Sequence, residues 1–292
     1  MVLGAGKSDA TLAATMTCLV VIPARLESKR LPRKLLADIN GKPLLRHVIE
    51  RCLLAKEPHM VVLCTDSQEI KTALQSWGLA DQVPVLLTSA ACSSGSDRIA
   101  SVLPQLIKLS SANLAAKNLE IEKLWILNVQ GDQPCLDPAV IDALAIACAT
   151  ADFIAKAPVV TPVYRLSADK IHDPAVVKCL LASSGQCLTF SRSAIPHVRD
   201  VCPENWHLHA NYWGHVGIYA YQAAVLKRWQ QLPPSPLEQA EKLEQLRLLE
   251  AGISIYGLEV AGDSLSVDTP AQLALARKIC SANSRTAPSP PR

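Results

Sequence analysis

The stretch CLVVIPARLESKRLPRK, residues 18–34, decides how this chain is read. Its first part is a continuous apolar run, the pattern of a strand buried on both faces. The run empties into a loop bracketed by Pro23 and Pro32, with five basic residues and one acid between Pro23 and Lys34. Like charges repel, so such clustering contributes little to folding. The loop reads either as a solvated basic segment or as a holder for an anion at the end of a strand. It has no glycine, so side-chain charge would do most of the holding.

Working outward, the same rhythm repeats. KPLLRHVIERCLLA (42–55) has apolar residues at helical spacing, with Gly41 and Pro43 marking its start. HMVVLCTD (59–66) reads as a strand, SQEIKTALQSWG (67–78) as a helix and VPVLLT (83–88) as a strand. GSDRIASVLPQLIKL (95–109) reads as one helix, KLWILNVQGD (123–132) as a strand and DPAVIDALAIACAT (137–150) as a helix. This alternation predicts an α/β fold with a doubly wound, mainly parallel sheet. Ligands of such sheets sit beyond the carboxyl ends of strands, where the basic loop, TDSQE and QGDQP all fall. After about residue 155 the rhythm breaks. APVVTPVYRL, AVVKCLLASSGQCLTFSRS and HVGIYAYQ predict antiparallel strands over a smaller region, 156–232. SPLEQAEKLEQLRLLEAG (235–252) predicts one helix, capped at Ser235-Pro236 and stopped at Gly252, and ISIYGLEV predicts a returning strand.

Composition narrows the function classes. The chain has 292 residues and a net charge of only +3, too mild for a nucleic-acid coat. No apolar run approaches the roughly 20 residues that span a bilayer, and no secretory signal is visible. Ten cysteines are present without a single C-x-x-C, so buried free thiols in a reducing, cytoplasmic setting are expected. GAGKS (4–8) looks like part of a phosphate-binding loop, but Met1 stands where the pattern needs its first glycine and no strand precedes it. Residues 1–17 are expected to be a flexible extension, and 282–292 a disordered tail.

Two aspartates carry metal chemistry or a simpler role. Asp132 follows a buried strand and Gly131, and can bind a hard divalent cation or shape a turn. Asp268, in LSVDTPAQLALA, can be a second metal carboxylate or a helix N-cap. With the basic loop, the pair would make a metal–nucleotide site.

Taken in order, VVIPARLESKRLPRKLLADINGKPLLRHVIER, CSSGSDRIA, ILNVQGDQP, DPAVVKCLL, FSRSAIPHVRD, HVGIYAY, SPLEQAEKLEQLR and VDTPAQL resemble the 3-deoxy-manno-octulosonate cytidylyltransferases over about residues 18–280. The resemblance implies a Mg²⁺-dependent transfer from CTP to 3-deoxy-manno-octulosonate (Kdo), a cytoplasmic homodimer dimerising through 156–232, and a single catalytic unit over 18–281. It implies that Arg25, Arg30 and Lys34 hold CTP phosphates beside Ser28, and that Arg98 contacts substrate. Gln130 and Asp132 would stand at the reaction centre, with Asp132 and Asp268 on the metal. The sugar site would take in Arg192, His215, Tyr219, Glu244 and Gln245. Each has a plainer alternative: His215 and Tyr219 as core, Glu244 and Gln245 as a solvated helix face, and Arg98 paired with Asp97. Three positions depart from the family pattern. Arg33 replaces a usual glycine, Leu35 a proline, and Gln133 a glutamate. A cytidylyltransferase for another 2-keto sugar acid, such as an 8-amino analogue or a sialic acid, and a non-catalytic nucleotide sensor, are the alternative readings.

Overall fold

The computed structural model describes residues 16–28, 30–113, 121–150 and 157–286. Residues 1–15 of the expected extension and 287–292 of the expected tail lie outside the described residues, whereas 282–286 are helical rather than disordered. Thr17 already belongs to the first strand, and the last helix runs on to Thr286.

The strands in chain order are β1 (Thr17–Ala24), the short hairpin β2 (Asp38–Ile39) and β3 (Lys42–Pro43), β4 (Met60–Thr65), β5 (Val85–Leu87), β6 (Leu124–Asn128), β7 (Val159–Arg165), β8 (Lys178–Leu181), β9 (Cys187–Ser191), β10 (Trp213–His215), β11 (Tyr219–Gln222) and β12 (Ile255–Glu259). The helices are α1 (Leu44–Leu53), α2 (Gln68–Ser76), α3 (Gly95–Ser101), α4 (Leu103–Asn113), α5 (Pro138–Ala149), α6 (Ala223–Trp229), α7 (Pro236–Glu241), α8 (Gln245–Glu250) and α9 (Pro270–Thr286).

β1 pairs in parallel with β4 on one side and β6 on the other, and β4 with β5. Every residue of β1 is buried, as a central strand covered on both faces requires. Its side chains alternate between two cores. Val20 and Ile22 join Val48, Ile70, Leu144 and Leu273 from α1, α2, α5 and α9. Leu19 and Val21 join Ile99, Leu106, Leu226 and Leu246 from α3, α4, α6 and α8. The strand order β5-β4-β1-β6-β11-β7-β10-β8-β9, with β12 on β7, makes one large mixed sheet. β11 enters antiparallel between β6 and β7. The smaller antiparallel region therefore extends the main sheet rather than forming a sheet of its own. Among the described residues, no helix is long and apolar enough to cross a membrane.

Three segments depart from the sequence reading. The helix expected over 95–109 breaks at Val102, which has left helical geometry at φ −110°, ψ 13°. The break moves Pro104 into the first turn of α4, where its missing N–H costs no hydrogen bond. The segment HVGIYAYQ splits into β10 and β11, which both pair with β7 but whose other partners differ, β8 for β10 and β6 for β11. The helix expected over 235–252 also splits. Its start carries the expected cap, a reciprocal box between Ser235 and Glu238. It ends where Lys242 turns left-handed at φ 56°, and Leu243 N–H donates back to Glu238 O at 3.3 Å. That turn swings Glu244 and Gln245 toward the carboxyl ends of the central strands.

Candidate active site

The loop after β1 turns back over the sheet through a short 3₁₀ turn, Lys34–Leu36. Arg33 caps that turn in the left-handed region, at φ 53°. The conformation suits glycine, the residue the family pattern has here; a larger side chain costs about 1 kcal/mol. The Arg33 guanidinium pairs with Glu69. Leu35, the second departure, packs into the core beside α1.

The turn delivers Lys34 to a pair of carboxylates. Its Nζ donates to Asp132 Oδ2 at 2.7 Å and Asp268 Oδ1 at 2.8 Å. Arg30 Nη2 adds a contact to Asp268 Oδ2 at 2.8 Å. Burial pulls the Lys34 pKa down, but the two carboxylates outweigh it and hold the pKa above its ordinary value. Asp132 comes in close because Gly131 precedes it: a Cβ there would lie 3.1 Å from Pro23 O. Asp268 is brought alongside by Val267 N–H, which donates to Asp132 O at 2.9 Å. The cap of α9 belongs to Thr269 and Gln272. Gln272 N–H donates to Thr269 Oγ1 at 3.3 Å, and Thr269 N–H to Gln272 Oε1 at 3.0 Å. Asp268 is thereby released from capping and its carboxylate faces the cations.

This cluster forms one wall of a cavity of about 460 Å³, also lined by Arg25, Ser28, Ser94, Gly95, Arg98, Gln130 and Glu244. Arg98 is 2 % exposed and pairs with Asp66 Oδ2 at 2.9 Å and with Thr88, not with Asp97. Gln130 Nε2 donates to Asn128 Oδ1 at 2.9 Å.

A second cavity of about 570 Å³ adjoins the first and shares Arg30, Gln130, Glu244 and Asp268 with it. Arg192, His215, Tyr219 and Gln245 line it. The His215 ring packs on Phe190 and Tyr219 and contacts Thr161 Oγ1 at 2.9 Å. Burial pushes its pKa down to about 3, so the ring is neutral. Burial likewise holds the Tyr219 hydroxyl well above its ordinary pKa, hence protonated. Glu244 is pushed up by burial, against hydrogen bonds with Ser96 and Ser94. Neither Glu244 nor Gln245 is a solvated helix face; Gln245 is 2 % exposed. Gln245 Nε2 and Ser264 Oγ are buried on this wall without a protein partner, polar groups for a ligand to satisfy. Arg192 lines the cavity while its Nε holds Glu241 O at 3.0 Å. Gln133, the third departure, reaches Ser266 Oγ at 3.4 Å rather than the carboxylate pair.

Sequence reasoning missed several residues. Asp66 and Thr88 anchor Arg98 from the ends of β4 and β5. Lys178, fully buried, donates to the carbonyls of Asp173, Val176 and Arg192 beneath the second cavity. Its signal was there, a lysine inside the apolar run VVKCLL. Asp263, at the cavity wall, is pushed up by burial, against a hydrogen bond with Tyr164.

Asp132 and Asp268 already share one cation, the Lys34 ammonium. Among the described residues, no cluster of three or more His, Cys, Asp or Glu is placed to hold a metal. Two carboxylates side by side could hold a hard divalent cation shared with substrate phosphates, rather than form a closed structural site.

A protein-family model described as cytidylyltransferase matches residues 19–255. The chain is 38% identical over 269 residues to the 3-deoxy-manno-octulosonate cytidylyltransferase of Chlorobium limicola, covering 90% of this chain and 97% of that one. It is 42% identical over 265 residues to that of Polynucleobacter necessarius, covering 89% and 94%. A solved CMP:2-keto-3-deoxy-manno-octonic acid synthetase complexed with CTP superposes with a TM-score of 0.77 at 36% identity, covering 91% of this chain and 99% of that one. A 4-diphosphocytidyl-2C-methyl-D-erythritol synthase shares the fold alone, with a TM-score of 0.56 at 16% identity. By sequence and by fold, the chain belongs to the cytidylyltransferases, and within them to the 3-deoxy-manno-octulosonate cytidylyltransferase family.

Proposed function

We propose that the protein activates Kdo with CTP, giving CMP-Kdo and pyrophosphate. The observation that carries this reading is the meeting of the two cavities at Gln130, Glu244 and Asp268, beside the Lys34–Asp132–Asp268 cluster. The first takes CTP and the second the sugar, so the anomeric hydroxyl faces the α-phosphorus at the junction.

Kdo carries a carboxylate and CTP a triphosphate, so the reactants repel until their charge is neutralised. Arg25, Arg30 and Lys34, with Ser28, hold the phosphates, and Arg98 supports the nucleotide from the cavity floor. Asp132 and Asp268 hold Mg²⁺, which when bound neutralises phosphate charge and favours attack by the sugar hydroxyl. With pyrophosphate leaving in line, positioning and charge compensation supply most of the catalysis. Gln130 stands at the junction as a neutral donor to the reacting phosphate. His215 and Tyr219 meet the sugar as neutral groups, while Glu244 and Gln245 take its hydroxyls. Arg192 faces the sugar carboxylate. The same reading makes the protein a cytoplasmic homodimer supplying lipopolysaccharide assembly. Exposed Leu188 and Leu208 support association through the antiparallel region.

The test is pyrophosphate release from CTP and Kdo, with and without Mg²⁺, beside Asp132→Ala. Mg²⁺-dependent release that disappears in the variant is expected. Release with a different sugar acid but not Kdo would move the substrate, and release with none would overturn the assignment.

A further inference from the structure

Two thiols stand behind the carboxylate pair. Cys135 lies in the loop that carries Asp132, and Cys280 on α9, the helix that follows Asp268. Their Sγ atoms are 3.3 Å apart, across a separation of 145 residues. Both are free thiols and both are half-buried, so a small oxidant can reach them. Cys179 and Cys187 also interact, but each is only 1 % exposed. Arg51 completes the setting, its Nε donating to the carbonyl of the adjacent Leu136 at 2.7 Å. Contact, access and a neighbouring cation are what separate a reactive thiol from a packed one. The hydrogen bond between the two draws the Cys280 thiol below its ordinary pKa, against burial and with help from Arg51. The same hydrogen bond and burial raise Cys135. Cys280 is therefore the attacking sulfur and Cys135 the resolving one.

We propose that Cys135 and Cys280 are a modification site, a thiol pair that a peroxide or a small disulfide converts reversibly into a disulfide tying the Asp132 loop to α9. With hydrogen peroxide, the Cys280 thiolate attacks one oxygen and the O–O bond breaks. The departing hydroxide takes a proton and leaves as water, and Cys280 becomes a sulfenic acid. The Cys135 thiol then attacks that sulfur, the S–S bond forms and a second water leaves. The two sulfurs together lose two electrons, and the peroxide is reduced to two waters. With a small disulfide, Cys280 first forms a mixed disulfide that Cys135 resolves, releasing two thiols. The bond forms whatever the protein's activity. Its significance, a clamp across the segments that hold the metal, rests on the proposed function.

The experiment treats the reduced full chain with a small excess of hydrogen peroxide, alkylates it and digests it without reductant. A Cys135 peptide joined to a Cys280 peptide, two hydrogens lighter than their sum, is expected. Because the bond closes a long loop, Tm should rise by about 5–10 °C and fall back with dithiothreitol. Cys135→Ser and Cys280→Ser should each lose both effects. If the exposed Cys202 oxidises while no linked peptide forms, the site is overturned. A linked peptide with unchanged Tm overturns the clamp. The mass measurement on the unaltered protein decides even if a variant fails to fold, and it does not depend on turnover.

Discussion

Replacing His215 by glutamine should flatten the acid limb of the protein's stability profile. The ring is enclosed between Phe190, at 5.0 Å, and Tyr219, at 5.3 Å. The Thr161 hydroxyl donates to Ile218 O at 2.7 Å, so it accepts from His215 Nε2–H at 2.9 Å, a bond that a neutral ring makes. Burial lowers the pKa from 6.5 to about 3. Between those values the unfolded chain binds a proton that the folded one refuses, so stability falls as pH drops through that window. The cost approaches about 1.4 kcal/mol per pH unit, or about 2 kcal/mol in going from about pH 6.5 to about pH 4.5. Glutamine keeps an N–H for Thr161 and does not titrate. Glu244, raised by burial, titrates with the opposite sign, and the comparison of the two proteins cancels it. The assay is the urea midpoint of each protein at both pH values. The wild type should lose about 2 kcal/mol more than His215→Gln. Equal losses would refute the claim that this histidine is held neutral by the fold.

Three further perturbations test the rest of the site. Lys34→Met leaves Asp132 and Asp268 facing each other without their ammonium. Mn²⁺ should bind the nucleotide-free variant about tenfold more tightly, while turnover falls by about 100-fold or more; a Mn²⁺ titration with unchanged affinity would show that the lysine does not compete with the metal. Gly131→Ala puts a methyl 3.1 Å from the fixed Pro23 carbonyl. It should shift Asp132 by tenths of an ångström and lower kcat by about tenfold; an unchanged kcat would count against tight placement of that loop. Arg247, 5 % exposed, forks onto both Glu238 oxygens at 2.6 and 2.7 Å and lies over Trp229. Arg247→Met should cost about 3 kcal/mol by removing the cation from the nearly buried Glu238, lowering Tm by about 10 °C in a thermal melt; a fall under about 2 °C would show that the network is not needed.

The parts of the fold that could be read in advance were those set by local chemistry. CLVVIPA and LWIL are apolar throughout because both faces of each strand are covered, and Ser235-Pro236 starts a helix because a box closes there. What could not be read depended on partners distant in sequence. Nothing in AEKLEQ announces that Lys242 turns left-handed without a glycine, yet that turn brings Glu244 and Gln245 to the cavities. Asp268 was ambiguous because VDTP supplies both a cap and a carboxylate, and only the bond between Thr269 and Gln272 assigns the cap elsewhere. Arg98 invited pairing with its neighbour Asp97, whereas its partner Asp66 comes from the loop that follows β4. The substrate assignment came from resemblance; residue spacing alone reached only a metal and a bound anion.

The reach of the Lys34 contacts has a consequence for how the protein comes into being. Its two carboxylate partners lie 98 and 234 residues further along the chain. As synthesis proceeds from the amino end, the basic loop emerges before Asp132, and Asp132 well before Asp268. Each late arrival closes a longer loop, though the entropic cost grows only slowly with its length. A nascent chain lacking its last part can pair β1 with β4 and β6, but it holds a single carboxylate beside Lys34. Chains cut short of Asp268 therefore keep much of the sheet while lacking half of the proposed metal site.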